Sequence, residues 1–147
     1  MGLDLNQQPL EGHDESLRAA LSGAGLPVDD LTDAGRSFYR FSRDGETIGF
    51  GGLELYGKAA LLRSIVVLSD RRGFGFGHAI ALGLLDEAHR KGADAAYLLT
   101  ESAAAFFQSL GFRPIARDEA PTAILTTRQA ASLCPASAAL MVRSLAE

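Results

Sequence analysis

The alternation of apolar and polar positions predicts an antiparallel meander in the first half of the chain. Two apolar runs, 37–43 and 46–55, flank Asp44-Gly45, a pair that is typical of a two-residue hairpin turn. A third apolar run, 59–68, follows after another short turn. The pattern therefore predicts three consecutive antiparallel strands.

Apolar residues spaced three or four positions apart predict the helices. Ile80, Leu84 and Ala88 form one apolar stripe, and Phe106 and Phe107 belong to another. Helices are predicted over 14–23, 78–91, 102–111 (with Ser102 as its cap) and 121–131, with a short helical turn at 26–31. Further strands are predicted over 95–100, 112–117 and 137–145, and residues 1–12 form a loose lead-in.

This order of elements predicts an α/β (α+β) fold. Helices precede three antiparallel strands, and then helix, strand, helix, strand and strand follow, which favours a mixed, mostly antiparallel central sheet flanked by helices. The length of 147 residues corresponds to one domain, 1–147, and the hydrophobic content of 47% is sufficient for a core.

Composition excludes several classes of function. The net charge of −4 argues against nucleic acid as a general partner. No apolar run approaches the roughly 20 residues of a membrane span, and the N-terminus lacks the features of a signal peptide. The lone Cys134 suits a reducing, cytoplasmic location. Neither Cys134 nor the histidines have the spacing of metal ligands, so no metal is expected; the histidines are His13, His78 and His89.

The most specific chemical signal is the glycine-rich turn between the third strand and the helix that follows it. Arg71 and Arg72 precede glycines at 73, 75 and 77. Glycine allows close backbone approach, and unpaired amides at a helix start bind anions, so the pattern predicts a phosphate-binding loop. His78-Ala79 stands where a Walker loop needs Lys-Ser/Thr, and the dinucleotide fingerprint also fails at His78. A glycine-rich turn without a ligand is the alternative.

Two motifs resemble the GCN5-related N-acetyltransferase (GNAT) family. The segment 72–77, RGFGFG, fits R/Q-x-x-G-x-G/A, the family's acetyl-CoA pyrophosphate loop. The segment 100–112, TESAAAFFQSLGF, is similar to the family pattern N-x-x-A-x-x-L-Y-x-x-x-G-F. The resemblance covers about 14–145 and implies the GNAT fold, with acetyl-CoA in a cleft between splayed strands. The segments 100–112 and 125–141 resemble the arsenic-resistance N-acetyltransferase branch, which lies near enzymes that detoxify phosphinothricin-like amino acids.

The resemblance also implies which residues hold acetyl-CoA. Amides of the glycine loop would receive the pyrophosphate beside Arg71 or Arg72, and the third strand would bond the pantetheine arm, with one amide facing the thioester oxygen. Phe107 replaces the tyrosine that often protonates the thiolate, so the thiolate leaves unaided or takes a proton from water or another group. Core packing alone is the favoured alternative for Phe107. The implied contacts are Ile65, Val66, Val67, Arg71, Arg72, Gly73, Phe74, Gly75, Phe76, Gly77, His78, Phe106 and Phe107.

Candidates for the acceptor side lie on the predicted meander and the later strand. Glu54 is the predicted general base, and simple surface exposure near Tyr56-Gly57 is the alternative for this residue. Glu101 is the other candidate base, unless it only belongs to the start of a helix. Arg63 interrupts an apolar strand and is predicted to clamp a carboxylate, phosphinate or arsonate. An internal ion pair between Arg63 and Glu54 is the alternative. Ser64 and Thr100 are candidate hydroxyls for orienting the substrate.

Together these features predict an acetyl-CoA-dependent N-acetyltransferase. No residue stands out as a covalent nucleophile, which favours direct attack in a ternary complex. The expected acceptor is the primary amine of a small, anionic, amino-acid-like molecule, by resemblance an organoarsenical or a phosphinothricin analogue. A non-catalytic acetyl-CoA sensor and an enzyme acting on protein N-termini or lysines are the alternatives. Dimerisation is common in the family, and 137–145 is the expected contact of a homodimer.

Overall fold

The computed structural model describes residues 5–127, 130–131 and 138–145, which form a seven-stranded sheet flanked by helices. The strand order is β1-β2-β3-β4-β5-β7-β6, in which β4 and β5 are parallel and the other pairs antiparallel. This is the predicted fold class. The elements are β1 (Asn6–Leu10), α1 (Glu15–Gly23), β2 (Arg36–Arg43), β3 (Glu46–Tyr56), β4 (Ala59–Val67), α2 (Phe76–Arg90), β5 (Ala95–Thr100), α3 (Ala104–Gln108), β6 (Arg113–Ile115), α4 (Thr122–Leu125) and β7 (Ala139–Ser144).

Local residue chemistry explains where the first elements begin and turn. The Asp14 carboxylate accepts a hydrogen bond from the Leu17 amide at 3.0 Å, which caps the start of α1. Asp44 and Gly45 both have positive φ, 53° and 81°, as the predicted tight hairpin between β2 and β3 requires.

Side chains at alternate strand positions pack into apolar layers on the two faces of the sheet. On one face, Ile80 and Leu84 of α2 pack with Tyr39 and Leu53 in the larger cluster. On the other face, α1 packs with Phe38, Phe50 and Val66, which bury the opposite sides of the same strands. The sheet is thus covered on both sides along β2, β3 and β4.

The sheet opens between β4 and β5. These two strands pair only over Ala59–Leu61 and Ala95–Tyr97. Beyond that point β4 stays paired with β3, while β5 stays paired with β7. The neighbouring ends of β4 and β5 therefore diverge and leave a cleft in the middle of the sheet.

A β-bulge lies in β4 at the mouth of this opening. Between the pairs Gly52–Arg63 and Phe50–Val66, β3 contributes one residue and β4 contributes two. Ser64 is the first of the two and has φ of 59°, a left-handed conformation that is uncommon for residues other than glycine.

Several local predictions are corrected. Residues 6–10 form an edge strand instead of a loose lead-in, because their backbone pairs with β2. Residues 26–31 form an irregular stretch and a turn instead of a helical turn, and the Asp30 and Leu31 side chains are buried. Helix α4 is shorter than the predicted 121–131, of which 128–129 lie outside the described residues.

The C-terminal strand lies inside the sheet. β7 pairs with β5 on one side and β6 on the other, so neither edge of this strand is free for strand addition by a second copy. Position 137 of the predicted strand falls outside the described residues. No helix in the described ranges is long and apolar enough to cross a membrane.

Candidate functional site

A cavity of about 650 Å³ fills the opening between β4 and β5. Its walls come from both diverging strands, from the loop after α1 and from the starts of α2 and α3. The lining consists of residues 24–27, 62–67 and 98–103 together with Arg72, Gly77, Phe106, Phe107 and Ala138.

The cavity brings together about half of the predicted cofactor contacts. Those on its wall are Ile65, Val66, Val67, Arg72, Gly77, Phe106 and Phe107, and the predicted substrate residues Arg63, Ser64 and Thr100 are there too. Outside the lining lie Glu54, Arg71, Gly73, Phe74, Gly75, Phe76 and His78. The glycine loop is therefore beside the cavity, and only its end enters the wall.

The glycine loop presents free amides at the start of α2. Gly73 and Gly75 have φ of 88° and 81°, which residues with a side chain adopt only with strain. The first intrahelical bond runs from the Ala79 amide to the Gly75 carbonyl at 3.3 Å, so the amides of residues 76–78 precede it. These amides and the helix dipole make the N-terminus of α2 suited to an anion.

Gly77 keeps the passage between this helix end and β4 open. A Cβ atom at this position would lie 3.6 Å from Val67 Cγ2 and 3.5 Å from Phe106 Cζ. A larger side chain would therefore occupy the space between the amides of residues 76–78 and the cavity.

The two arginines of the loop point to different places. Arg71 pairs with Glu46 at the start of β3. Arg72 lines the cavity, and its Nε donates to the Val67 carbonyl at 3.2 Å. Of the two predicted phosphate contacts, Arg72 is the one placed beside both the helix start and the cleft.

Phe106 and Phe107 form an aromatic wall. Phe107 is 8% exposed and packs edge-on against Phe112, with ring centroids 5.8 Å apart. It belongs to the main apolar cluster and also lines the cavity, so it packs in the core and still faces the space inside the cavity. Phe106 is 37% exposed and turns its ring toward Gly77.

A buried ion cluster lies behind the bulge of β4; it comprises Asp30, Arg36, Glu54 and Arg63. Arg63 donates to Asp30 at 2.5 and 2.7 Å and to Glu54 at 2.8 Å. Arg36 donates to Asp30 at 3.0 and 3.2 Å and lies 3.7 Å from Glu54. The Tyr56 hydroxyl also donates a hydrogen bond to the Glu54 carboxylate.

The surroundings of Asp30 and Arg63 favour their charged forms. Burial by itself would raise the pKa of Asp30, but hydrogen bonds and charge from Arg63 and then Arg36 lower it on balance. Burial likewise opposes the charge of Arg63, yet its bonds to Asp30 and Glu54 raise its pKa. Burial, with the bond to Glu54, raises the pKa of Tyr56 to about 12. Two acids and two guanidiniums thus compensate one another.

Glu54, the predicted base, and Arg63, the predicted anion clamp, are both members of this ion cluster. Glu54 and Arg63 have side chains without exposed area, and each is bonded to the other. Their ion pair is the alternative left open by the sequence. The Arg63 side chain bonds through all three nitrogens, to Asp30, Glu54 and the Ser64 hydroxyl, so its guanidinium is already engaged within the protein.

The remaining polar groups of the cavity lie at the ends of the two strands. Thr100 accepts a hydrogen bond from the Ala103 amide at 3.0 Å, in the turn before α3. The N-cap of α3 is Ala103 and no side chain caps it, so the predicted Ser102 cap is wrong. Glu101 is exposed on the cavity rim. Within the described ranges, no group of three or more His, Cys, Asp or Glu is arranged to hold a metal.

Comparison with known families agrees with this geometry. Residues 34–114, more than half of the chain, match the family model described as an acetyltransferase (GNAT) domain. The chain belongs to the GNAT family. The matched region runs from the loop before β2 to β6, so it contains both diverging strands, the glycine loop and the aromatic wall of this GNAT domain. No curated protein sequence matches the chain.

Solved structures share the fold of this GNAT domain at low identity. N-acetylglutamate synthase from Neisseria gonorrhoeae, complexed with coenzyme A and N-acetyl-glutamate, aligns with 99% of this chain at a TM-score of 0.73 and 16% identity. This chain spans only 36% of that one. GCN5 from Tetrahymena aligns at a TM-score of 0.72 and 15% identity, covering 98% of this chain and 97% of that one. A Bacillus subtilis acetyltransferase in complex with CoA aligns at 0.72 and 16%, covering 97% and 100%.

Proposed function

We propose that this GNAT domain is an acetyl-CoA-dependent N-acetyltransferase that acetylates the primary amine of a small molecule. The observation that carries the proposal is the divergence of β4 and β5 directly beside the N-terminus of α2. One strand edge there is free to pair with an amide-bearing arm, and the helix end is suited to a pyrophosphate. The neighbours from Neisseria gonorrhoeae and Bacillus subtilis, both solved with coenzyme A, support this cofactor.

Each part of acetyl-CoA then has a partner in the chain. The pyrophosphate would lie on the amides of 76–78, with Arg72 supplying positive charge. The pantetheine arm would run along the free edge of β4 at 65–67, as a peptide strand would. Phe106 would pack against the arm where it passes Gly77.

The proposed reaction is direct attack of the amine on the thioester carbonyl. A C–N bond forms, the C–S bond breaks, and coenzyme A leaves as its thiolate. Phe107 has no proton to give, so the thiolate leaves as the anion or takes a proton from water. Holding the two reactants together in the cleft supplies much of the acceleration. Glu101, at the rim of the cavity, is the carboxylate best placed to accept the amine proton.

The proposed identity of the acceptor amine has weaker support than the cofactor, because it comes from the sequence resemblance and not from the geometry of the site. An anionic, amino-acid-like amine, including an organoarsenical or phosphinothricin analogue, is proposed from the sequence resemblance alone. The buried ion cluster occupies Arg63, so an acid group on such an acceptor would need another partner. Amino acids are also the molecules named with the Neisseria gonorrhoeae structures, which hold N-acetyl-glutamate or L-arginine.

The deciding experiment measures free-thiol release from acetyl-CoA with a panel of amines. The panel contains phosphinothricin-like and arsenical amino acids, simple amino acids, polyamines and an N-terminal peptide, and calorimetry measures acetyl-CoA binding in parallel. Thiol release with a small amine supports the proposal. Binding without release on any amine indicates a sensor, and release with the peptide alone indicates a protein acetyltransferase. Absence of binding contradicts the cofactor site.

Arg72 and Arg71 form a matched pair for testing the cofactor site. We expect Arg72→Ala to weaken acetyl-CoA binding by about tenfold, because it removes a charge-assisted contact to phosphate. Arg71→Ala removes the same charge from the neighbouring position, where the side chain pairs with Glu46, and should change the Kd by less than about twofold. Calorimetry at two salt concentrations measures both, and equal effects of the two variants would contradict the assignment of Arg72.

A further inference from the structure

We propose that Ser64 donates a hydrogen bond to an oxygen of the bound reactants and that Arg63 is the positioning residue that makes it a donor. This inference rests on the proposed acetyltransferase function, which it deepens. It depends on three independent features: the backbone of the bulge, the partner of the Ser64 hydroxyl and the anchoring of Arg63.

The first feature is the backbone conformation of Ser64. This residue has φ of 59° and lies in the bulge where β4 begins to diverge from β5. Glycine would adopt the same conformation without strain, so the serine side chain is present at a position that disfavours it. Strained residues cluster at sites where their geometry serves function.

The second feature is the hydrogen bonding of the Ser64 hydroxyl. Arg63 Nε donates to Ser64 Oγ at 3.1 Å. A guanidinium only donates, so this bond uses a lone pair of the oxygen and leaves the hydroxyl hydrogen to another acceptor. None of the hydrogen bonds among the described residues uses that hydrogen. Ser64 is 9% exposed and lines the cavity, where a ligand oxygen could accept it.

The third feature is how firmly Arg63 is held. Asp30 from the loop before β2 and Glu54 from β3 fix its two terminal nitrogens, which leaves Nε facing Ser64. The second guanidinium of the cluster, Arg36, balances the charges. Arg63 therefore orients the Ser64 hydroxyl, and its charge is balanced within the ion cluster.

The hydroxyl would recognise an oxygen acceptor, and two oxygens could reach this place. One is the thioester carbonyl oxygen, which gains negative charge during attack. The other is an acid oxygen on the amine substrate. Both are consistent with the donor role, and the kinetic constants distinguish them.

The test compares Ser64→Gly with Ser64→Ala. Both remove the hydroxyl, but glycine relieves the strained φ while alanine keeps it. We expect kcat/KM for the best amine of the panel to fall by about 10-fold to 100-fold in both variants. Acetyl-CoA affinity should stay within about twofold, and Ser64→Gly should unfold no more easily than the parent. If Ser64→Gly keeps kcat/KM within about twofold, only the bulge conformation matters and the donor role is overturned.

The pattern of kinetic constants identifies the oxygen. A lower kcat with every amine places the bond on the thioester oxygen. A higher KM confined to amines with an acid group places it on the acceptor. Either pattern supports the donor role.

A double variant tests the role of Arg63. Arg63→Lys keeps the charge but lacks the Nε donor. We expect Arg63→Lys to lower kcat/KM, and Ser64→Gly with Arg63→Lys to be no slower than Ser64→Gly alone, because both changes remove the same bond. Multiplicative losses would overturn the positioning role. If the unaltered chain binds acetyl-CoA but releases no thiol, the proposed function fails, and this inference fails with it.

Discussion

Replacing Arg63 by methionine is expected to lower the free energy of unfolding by about 3–5 kcal/mol at pH 7. The change removes the cation that lies 2.5 Å from Asp30 and 2.8 Å from Glu54. Among the described residues, Arg36 and Tyr56 then remain as the partners of these two buried carboxylates. Urea denaturation followed by circular dichroism measures the loss. The matched control is Arg90→Met, which removes an exposed guanidinium that pairs with Asp86 and Glu87 on its own helix. Lys91 still lies near Glu87, so we expect this control to lose less than about 1 kcal/mol.

The same variant should reverse the pH dependence of stability. In the unaltered chain the pKa of Asp30 is lowered, so its contribution is present above the unfolded pKa and is lost as the pH falls through the folded one. Without Arg63, burial is opposed by Arg36 alone among the causes that lower the pKa of Asp30, so we expect this pKa to rise and the folded state to bind the proton more tightly. The stability of Arg63→Met should therefore increase as the pH falls from 7 toward 5. A loss under about 1 kcal/mol, or an unchanged slope, would contradict this account.

Local patterns were sufficient to predict most of the fold. The Asp44-Gly45 turn, the apolar stripe of α2 and the glycine loop depend on neighbouring residues, and each lies where the sequence indicated. The edge strand at 6–10 was missed because its polar residues do not alternate with apolar ones, and only pairing with β2 makes it a strand. The irregular stretch and turn at 26–31 depend on tertiary contacts of Asp30, which local patterns do not encode.

The site was predictable to the same extent. The end of β4 and the start of α2 are joined by a short turn, so one contiguous motif contains two of the walls of the cavity that we propose for acetyl-CoA. The partner of Arg63 could be anticipated only in part. Glu54 lies nine residues away across a hairpin, whereas Asp30 lies 33 residues away in a loop, and periodicity assigns a face to a side chain but no distant partner.

The bulge at Ser64 had no sequence signal. A residue with left-handed backbone conformation within a strand is usually a glycine, and β4 contains no glycine. The neighbouring strand supplies small residues at 49, 51 and 52 instead, where added Cβ atoms would come within 3 Å of β4, α2 or Phe38. Those glycines show that the backbones are close, but they do not reveal which strand carries the extra residue.

Replacing Glu101 by glutamine is expected to lower kcat by about 100-fold at pH 7, because it removes the carboxylate proposed to accept the amine proton. Acetyl-CoA affinity and the urea midpoint should stay unchanged, since Glu101 is exposed on the rim of the cavity. Thiol-release kinetics with the best amine, together with calorimetry, measure the three quantities. Glu101→Asp retains the carboxylate and should recover part of the rate.

Glu54→Gln is the matched control because it makes the same chemical change at the base that the sequence suggested. Its carboxylate lies inside the ion cluster, bonded to Arg63 and Tyr56, so we expect it to lose stability and keep most of its kcat. If Glu54→Gln turns over slowly and Glu101→Gln turns over normally, the general base is Glu54 and not Glu101. A proton would then have to reach a carboxylate without exposed area, so the ion cluster would have to open during turnover.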